Sequence, residues 1–140
     1  MAADRTSTQE LTEALIGCCI EVHRHLGPGL LESSYQRCLA RELWLRGIEF
    51  AEQRSLSLEY KGLELPGAFR VDFLVGGLVI VEVKSVESLS AVHEAQLITY
   101  LRLARLPTGL LVNFNVPLLR QGIRRILRPS APLRSLRSSL

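Results

Sequence analysis

Phe69-Arg70-Val71-Asp72-Phe73-Leu74-Val75-Gly76-Gly77-Leu78-Val79-Ile80-Val81-Glu82-Val83-Lys84 is the stretch on which the fold turns. Two β-branched, apolar runs, Phe69–Val75 and Leu78–Lys84, flank a glycine pair, which reads as a β-hairpin. Side chains alternate between the two faces of a strand. On that basis Val71, Phe73 and Val75 share one face of the first strand, against Arg70, Asp72 and Leu74. On the second strand Val79, Val81 and Val83 oppose Ile80, Glu82 and Lys84. A two-residue Gly76-Gly77 turn would set Asp72 opposite Val81, and Asp72 and Glu82 would point to opposite faces. A three-residue loop, Gly76-Gly77-Leu78, pairs Val75 with Val79 and Asp72 with Glu82. That register makes one face wholly apolar and gathers Asp72, Glu82 and Lys84 on the other. Register follows the hydrophobic pattern, and three-residue loops with a glycine bulge are common, so the three-residue loop is predicted.

Two carboxylates side by side on a half-buried face repel by roughly 4 kcal/mol at ~4 Å and an effective dielectric of ~20. Lys84 offsets part of this, and a divalent cation would offset the rest. Hard oxygen ligands suit Mg²⁺ or Mn²⁺. Read alone, the short motif is equally an ordinary glutamate–lysine pair on a solvent-facing strand.

Outward from the hairpin, the period changes on both sides. Upstream, Leu11, Leu15, Cys18, Cys19 and Val22 follow helical spacing, with Thr6, Ser7 or Thr8 as a candidate cap and Gly27-Pro28-Gly29 as the stop. A second helix is expected from about Leu30 to Arg46, with Leu31, Tyr35, Cys38, Leu39, Leu43 and Trp44 facing inward and Gly47 ending it. Residues 49–60 read as a strand, Lys61-Gly62 and Pro66-Gly67 as turns. Downstream, a third helix covers about Ala91–Ala104, followed by strands at Gly109–Asn113 and Ile123–Leu127. Helix, helix, three strands, helix, strand, strand describes an α/β domain with a mixed central sheet flanked by helices.

The chain has 140 residues and is 47% hydrophobic, enough for one domain with a real core. We place that domain at residues 1–128 and a C-terminal tail at 129–140. Cys18, Cys19 and Cys38 have neither disulfide nor zinc spacing and read as reduced, buried thiols. No apolar run approaches the ~20 residues of a membrane helix, and no leader pattern opens the chain. A soluble, cytoplasmic protein without membrane contact is expected. Charge is divided: through Glu94 there are nine basic and fourteen acidic residues (net −5), and after it eight basic and no acidic ones (net +8). A basic surface for a polyanion beside an acidic region able to hold metal would show this pattern. Arg134 and Arg137 read instead as a solvated tail.

Farther motifs join the hairpin. Gly29-Leu30-Leu31-Glu32-Ser33-Ser34-Tyr35 puts Glu32 and Tyr35 on one helical face, and Gln96 and Tyr100 share a face of the third helix. Taken singly, each pair reads as a solvated polar residue beside a core tyrosine. In order, G-x-x-E-x-x-Y, D-F-L-V, E-V-K and Q-x-x-x-Y resemble the GxxExxY family of the PD-(D/E)XK nuclease-like superfamily, over about residues 10–128. The resemblance implies a restriction-endonuclease-like core and a metal-dependent nuclease that hydrolyses phosphodiester bonds of nucleic acid, DNA favoured over RNA. It implies catalytic roles for Asp72, Glu82, Lys84, Glu32, Gln96 and Tyr100. Metal would be held by Glu32, Asp72, Glu82 and the Val83 carbonyl. The proline of the superfamily name is absent, Val71 standing before Asp72. Arg102, Arg105, Arg124, Arg125 and Arg128 could hold the nucleic-acid backbone. His23 and His25 read as surface or helix-end residues, and Trp44 as core. Two rivals remain: a non-catalytic nucleic-acid-binding module of the same fold, and an assembly protein that associates through Leu118, Leu119, Leu127, Leu133 and Leu136. A homodimer is compatible with every reading.

Overall fold

The computed structural model describes residues 5–129, so the expected tail, with Leu133, Arg134, Leu136 and Arg137, lies outside the described residues apart from residue 129. The elements follow the expected order: α1 (Arg5–Leu26), α2 (Glu32–Leu45), β1 (Phe50–Tyr60), β2 (Leu63–Val75), β3 (Val79–Lys84), α3 (Ala91–Ala104), β4 (Thr108–Asn113), a 3₁₀ turn (Leu119–Gly122) and β5 (Ile123–Leu127). The five strands lie side by side in chain order. All neighbours are antiparallel except β3 and β4, which are parallel and joined through α3. A parallel pair needs such a crossover. The result is an α/β fold with a mixed sheet between helices.

One face of the sheet packs against α1 and α2, where Leu15, Cys18, Cys19, Tyr35, Leu39 and Leu43 meet Phe73, Val75, Val79, Val81 and Val83. The other face packs against Leu97 and Leu101 of α3 through Val71, Ile80 and Leu111. Strands β3 and β4 are therefore covered on both sides, which accounts for their nearly unbroken apolar runs. All three cysteines are free, with Cys18 and Cys19 buried.

The β2–β3 register is the one the apolar pattern predicts, with Val75 opposite Val79 and Phe73 opposite Val81. Gly76 and Gly77 take φ of 60° and 67°, which a side chain would disfavour. The alternation itself, however, is interrupted. Phe73 and Val75 face α1 and α2, whereas Val71 packs with the α3 side. The expected face of six consecutive apolar side chains is thus five, and β2 changes facing at Asp72.

Other expectations are corrected. Thr6, Ser7 and Thr8 lie inside α1, whose described part already begins at Arg5. Pro66-Gly67 is not a turn. It is a bulge within the long β1–β2 hairpin, where the register shifts past Leu56, while Lys61-Gly62 makes the reversal with φ of 49° and 88°. Helix α2 starts two residues later than expected. Its core seam is Tyr35, Leu39 and Leu43, while Leu31 and Trp44 are exposed. Trp44 lies one position off that seam, with the Arg41 guanidinium over its ring. His23 is buried, its Nε2 2.8 Å from the Val116 carbonyl oxygen. His25 is at the surface beside Glu21.

Candidate metal-binding active site

The β2–β3 ladder runs from Val75–Val79 to Phe73–Val81. At the next step the side chains of Asp72 and Glu82 take the place of backbone pairing. The Asp72 N–H donates to Glu82 Oε2 at 2.9 Å, and the Val83 N–H donates to Asp72 Oδ2 at 2.8 Å. Each carboxylate thus braces the opposite strand with one oxygen. A carboxylate that accepts a backbone N–H is fixed in direction, which is the preorganisation a metal ligand needs.

Glu82 is buried, whereas Asp72 and Lys84 are half-buried. Burial, reinforced by the Asp72 charge, pushes the Glu82 carboxyl up to about 7, against the bond from the Asp72 N–H and the attraction of Lys84. Burial also raises Asp72, opposed by the Val83 N–H and Lys84 and reinforced by Glu32. The Tyr100 hydroxyl is raised by burial and then by the charges of Glu82 and Asp72. These shifts describe one electrostatic cluster that disfavours having every acid ionised at once, and a bound cation would relieve it.

Glu32 reaches the cluster from the first turn of α2. Its Oε2 accepts from the Ser85 N–H at 3.3 Å, and Ser85 Oγ donates to the Leu30 carbonyl at 2.6 Å. The approach to α2 is held by Tyr35, whose hydroxyl donates to the Gly27 carbonyl at 2.6 Å and accepts from the Leu30 N–H at 3.1 Å. The Tyr35 ring stacks on Phe114 at 4.5 Å. Tyr100 stacks on Phe69 of β2 at 4.9 Å. Gln96 is exposed one turn earlier, with no side-chain hydrogen bond to these carboxylates among the described residues. His93 is occupied in capping α3: its Nδ1 accepts from the Ser90 N–H, and Ser90 Oγ accepts from the His93 N–H.

Among the described residues, no three His, Cys, Asp or Glu side chains enclose an ion by themselves. Asp72 and Glu82 converge, and Glu32 acts at longer range. That donor set fits Mg²⁺-type binding, which uses one or two carboxylates and keeps several waters.

The expected phosphate-binding arginines are dispersed. Arg102, Arg105, Arg124, Arg125 and Arg128 are all exposed. Arg124 of β5 is ion-paired with Glu94 of α3. Arg125, next to it, faces the other side of the sheet with Ile123. None of the five is hydrogen-bonded or ion-paired to Asp72, Glu82 or Glu32 among the described residues. Of the leucines in the assembly reading, Leu119 is buried, while Leu118 and Leu127 are exposed.

A family model described as the PD-(D/E)XK nuclease superfamily matches residues 9–126, most of the chain. The chain belongs to that superfamily. Its members are generally nucleases and generally use divalent metals, a chemistry for which Asp72, Glu82 and Lys84 form a fitting set. No curated protein matches the chain. Among the described residues no helix is long and apolar enough to cross a membrane.

Three residues beside the site escaped the sequence reading. Ser85 anchors Glu32. Asn113, buried at the end of β4, accepts the Val86 N–H and donates to the Val86 carbonyl, each at 3.0 Å, pinning the chain just after Lys84. A polar residue ending the apolar run Leu110-Leu111-Val112 was its available signal. Gln53 lies across from Asp72 on β1, and no sequence pattern distinguished it.

Proposed function

We infer that this PD-(D/E)XK protein is a metal-dependent nuclease of the GxxExxY type that hydrolyses phosphodiester bonds of nucleic acid, DNA in preference to RNA, with Mg²⁺ or Mn²⁺. The observation that carries the reading is the interlocking of Asp72 and Glu82 across β2 and β3, with Lys84 on the same strand face as Glu82. Asp72, Glu82 and the Val83 carbonyl would hold the metal, and Glu32 would add a ligand directly or through water. The N–H and C=O of one strand residue point the same way, so the Val83 N–H bond to Asp72 supports the Val83 carbonyl as a ligand. A bound divalent ion supplies an acidified water and charge neutralisation at the phosphate.

The remaining work falls to side chains. Lys84 orients the attacking water, helps remove its proton, or stabilises the charge that develops on the phosphate. Its positive charge already acts on both carboxylates. Tyr100 and Gln96 flank the site and orient water or phosphate. Arg102, Arg105, Arg124 and Arg128 supply sequence-independent attraction for the backbone, whereas Arg125, on the other face of the sheet, does not.

The test is cleavage of single- and double-stranded DNA and RNA with Mg²⁺ or Mn²⁺ present and with chelator. The wild type should cut only with metal, and Asp72→Ala and Lys84→Ala should each lose at least about 100-fold, as removal of a transition-state contact does. Cleavage by both variants at the wild-type rate would end the proposal.

A further inference from the structure

Among the described residues, three non-glycine residues have positive φ: Lys61, Arg105 and Gln53. Two have ordinary reasons. Lys61 is in the β1–β2 turn, and Arg105 is the left-handed C-cap of α3. Gln53, at φ 47°, stands in the middle of a paired strand, where side-chain-bearing residues avoid that conformation. The flanking pairs, Glu52–Phe73 and Arg54–Val71, keep one register, so the strained residue stands directly across from Asp72. Both strands change facing there. Phe50 and Phe73 pack toward α1 and α2, whereas Leu56, Phe69 and Val71 pack toward α3. The turnover brings Asp72 to the gap where it accepts the Val83 N–H.

The Gln53 side chain is held by α2 and acts on Asp72. Its Nε2 donates to Gln36 Oε1 of α2 at 3.1 Å. Its amide also acts on the Asp72 carboxyl, opposing the effect of burial there. One NH₂ group has two hydrogens and can serve both acceptors. Strain retained in a strand beside a candidate site indicates a constraint that the surrounding structure maintains.

We propose that Gln53 is a positioning residue, whose strained backbone and bridging amide aim the Asp72 carboxylate at the metal position and tie it to α2. The consequence for metal rests on the nuclease reading, but the effect on Asp72 does not. The experiment therefore reads both, on the full chain, with Gln53→Gly and Gln53→Met. Glycine accepts the left-handed backbone and lacks the amide. Methionine keeps the side-chain length and the strain, and lacks the donor. In metal-free protein, amide spectra follow the Val83 N–H, which reports on the Asp72 bond. Water-proton relaxation then measures Mn²⁺ affinity. Both variants should fold, shift the Val83 amide resonance and bind Mn²⁺ about tenfold more weakly, the scale of losing an outer-shell partner. A Val83 amide and a Mn²⁺ affinity unchanged from wild type in both variants would overturn the proposal. If the wild type itself took up no Mn²⁺ while the Val83 resonance still moved in both variants, the metal reading would fail and the positioning role would stand.

Discussion

Glu82 is almost wholly buried beside a second carboxylate, and its carboxyl is raised to about 7 from the ordinary 4.5. The folded protein therefore holds this proton more tightly than the unfolded chain does. The sign follows from linkage: stability from this group is fully present below about 4.5 and is lost as pH rises through about 7. The window spans about 3 kcal/mol, at roughly 1.4 kcal/mol per pH unit. Asp72 is raised as well and acts in the same direction. Glu82→Gln keeps an acceptor for the Asp72 N–H and removes the titration. In chelator, its melting temperature should match the wild type near pH 5 and exceed it near pH 8. Mg²⁺ at pH 8 should stabilise the wild type and leave Glu82→Gln nearly unaffected. Parallel pH profiles for the two proteins would show that Glu82 does not carry this charge cost.

At the scale of the element, the connection between α1 and α2 delivers Glu32. Helix α2 has no side-chain cap at Leu31, and the acidic Glu32 in its first turn suits the positive end of the helix. What holds the approach is Tyr35, which closes the Gly27–Leu30 loop with its hydroxyl while its ring is buried. Tyr35→Phe leaves a carbonyl and an N–H without that partner, a loss of about 1–2 kcal/mol. Thermal melts should fall by about 3–8 °C, and cleavage should fall with them because Glu32 is less well held. An unchanged melt would mean that water replaces the hydroxyl at no cost. Elements of this kind were legible to different degrees. The span of α3 and the Val75–Val79 register could be read because periodicity and apolar parity each had one consistent solution. Val71 could not, because parity arguments assume an unbroken pleat and the turnover at Gln53 and Asp72 breaks it. Trp44 and Leu31 misled because size and hydrophobicity suggest burial, while the Tyr35–Leu39–Leu43 seam already fills the interface. His23 was read as a surface or helix-end residue; it does stand in the last turn of α1, but the Val116 carbonyl of a distant loop takes its ring into the interior.

At the scale of the molecule, the carboxylates and the arginines occupy different parts of the surface. Asp72 and Glu82 lie where β2 and β3 part, and Tyr100 on α3 stacks toward β2. Glu94 of α3 pairs instead with Arg124 of β5, and helical spacing puts Arg102 on that same β5-facing flank. Nucleic acid engaging both regions would have to cross α3. Arg102 and Arg105 then meet phosphates, while Arg125, on the opposite sheet face, does not. The sequence shows the net positive charge after Glu94, but only the alternation along β5 divides its arginines between two faces. Each phosphate contact adds about 0.9 to the steepness of log affinity against log salt for duplex DNA. Affinity should be measured in a Lys84→Ala background, so that substrate is not consumed. There Arg102→Ala/Arg105→Ala should reduce the slope by about 2, and Arg125→Ala should leave it unchanged. Equal slopes in all three proteins would place the nucleic acid off the α3 side. A reduced slope for Arg125→Ala alone would put it against the face that packs α1 and α2, leaving the Tyr100 flank out of its path.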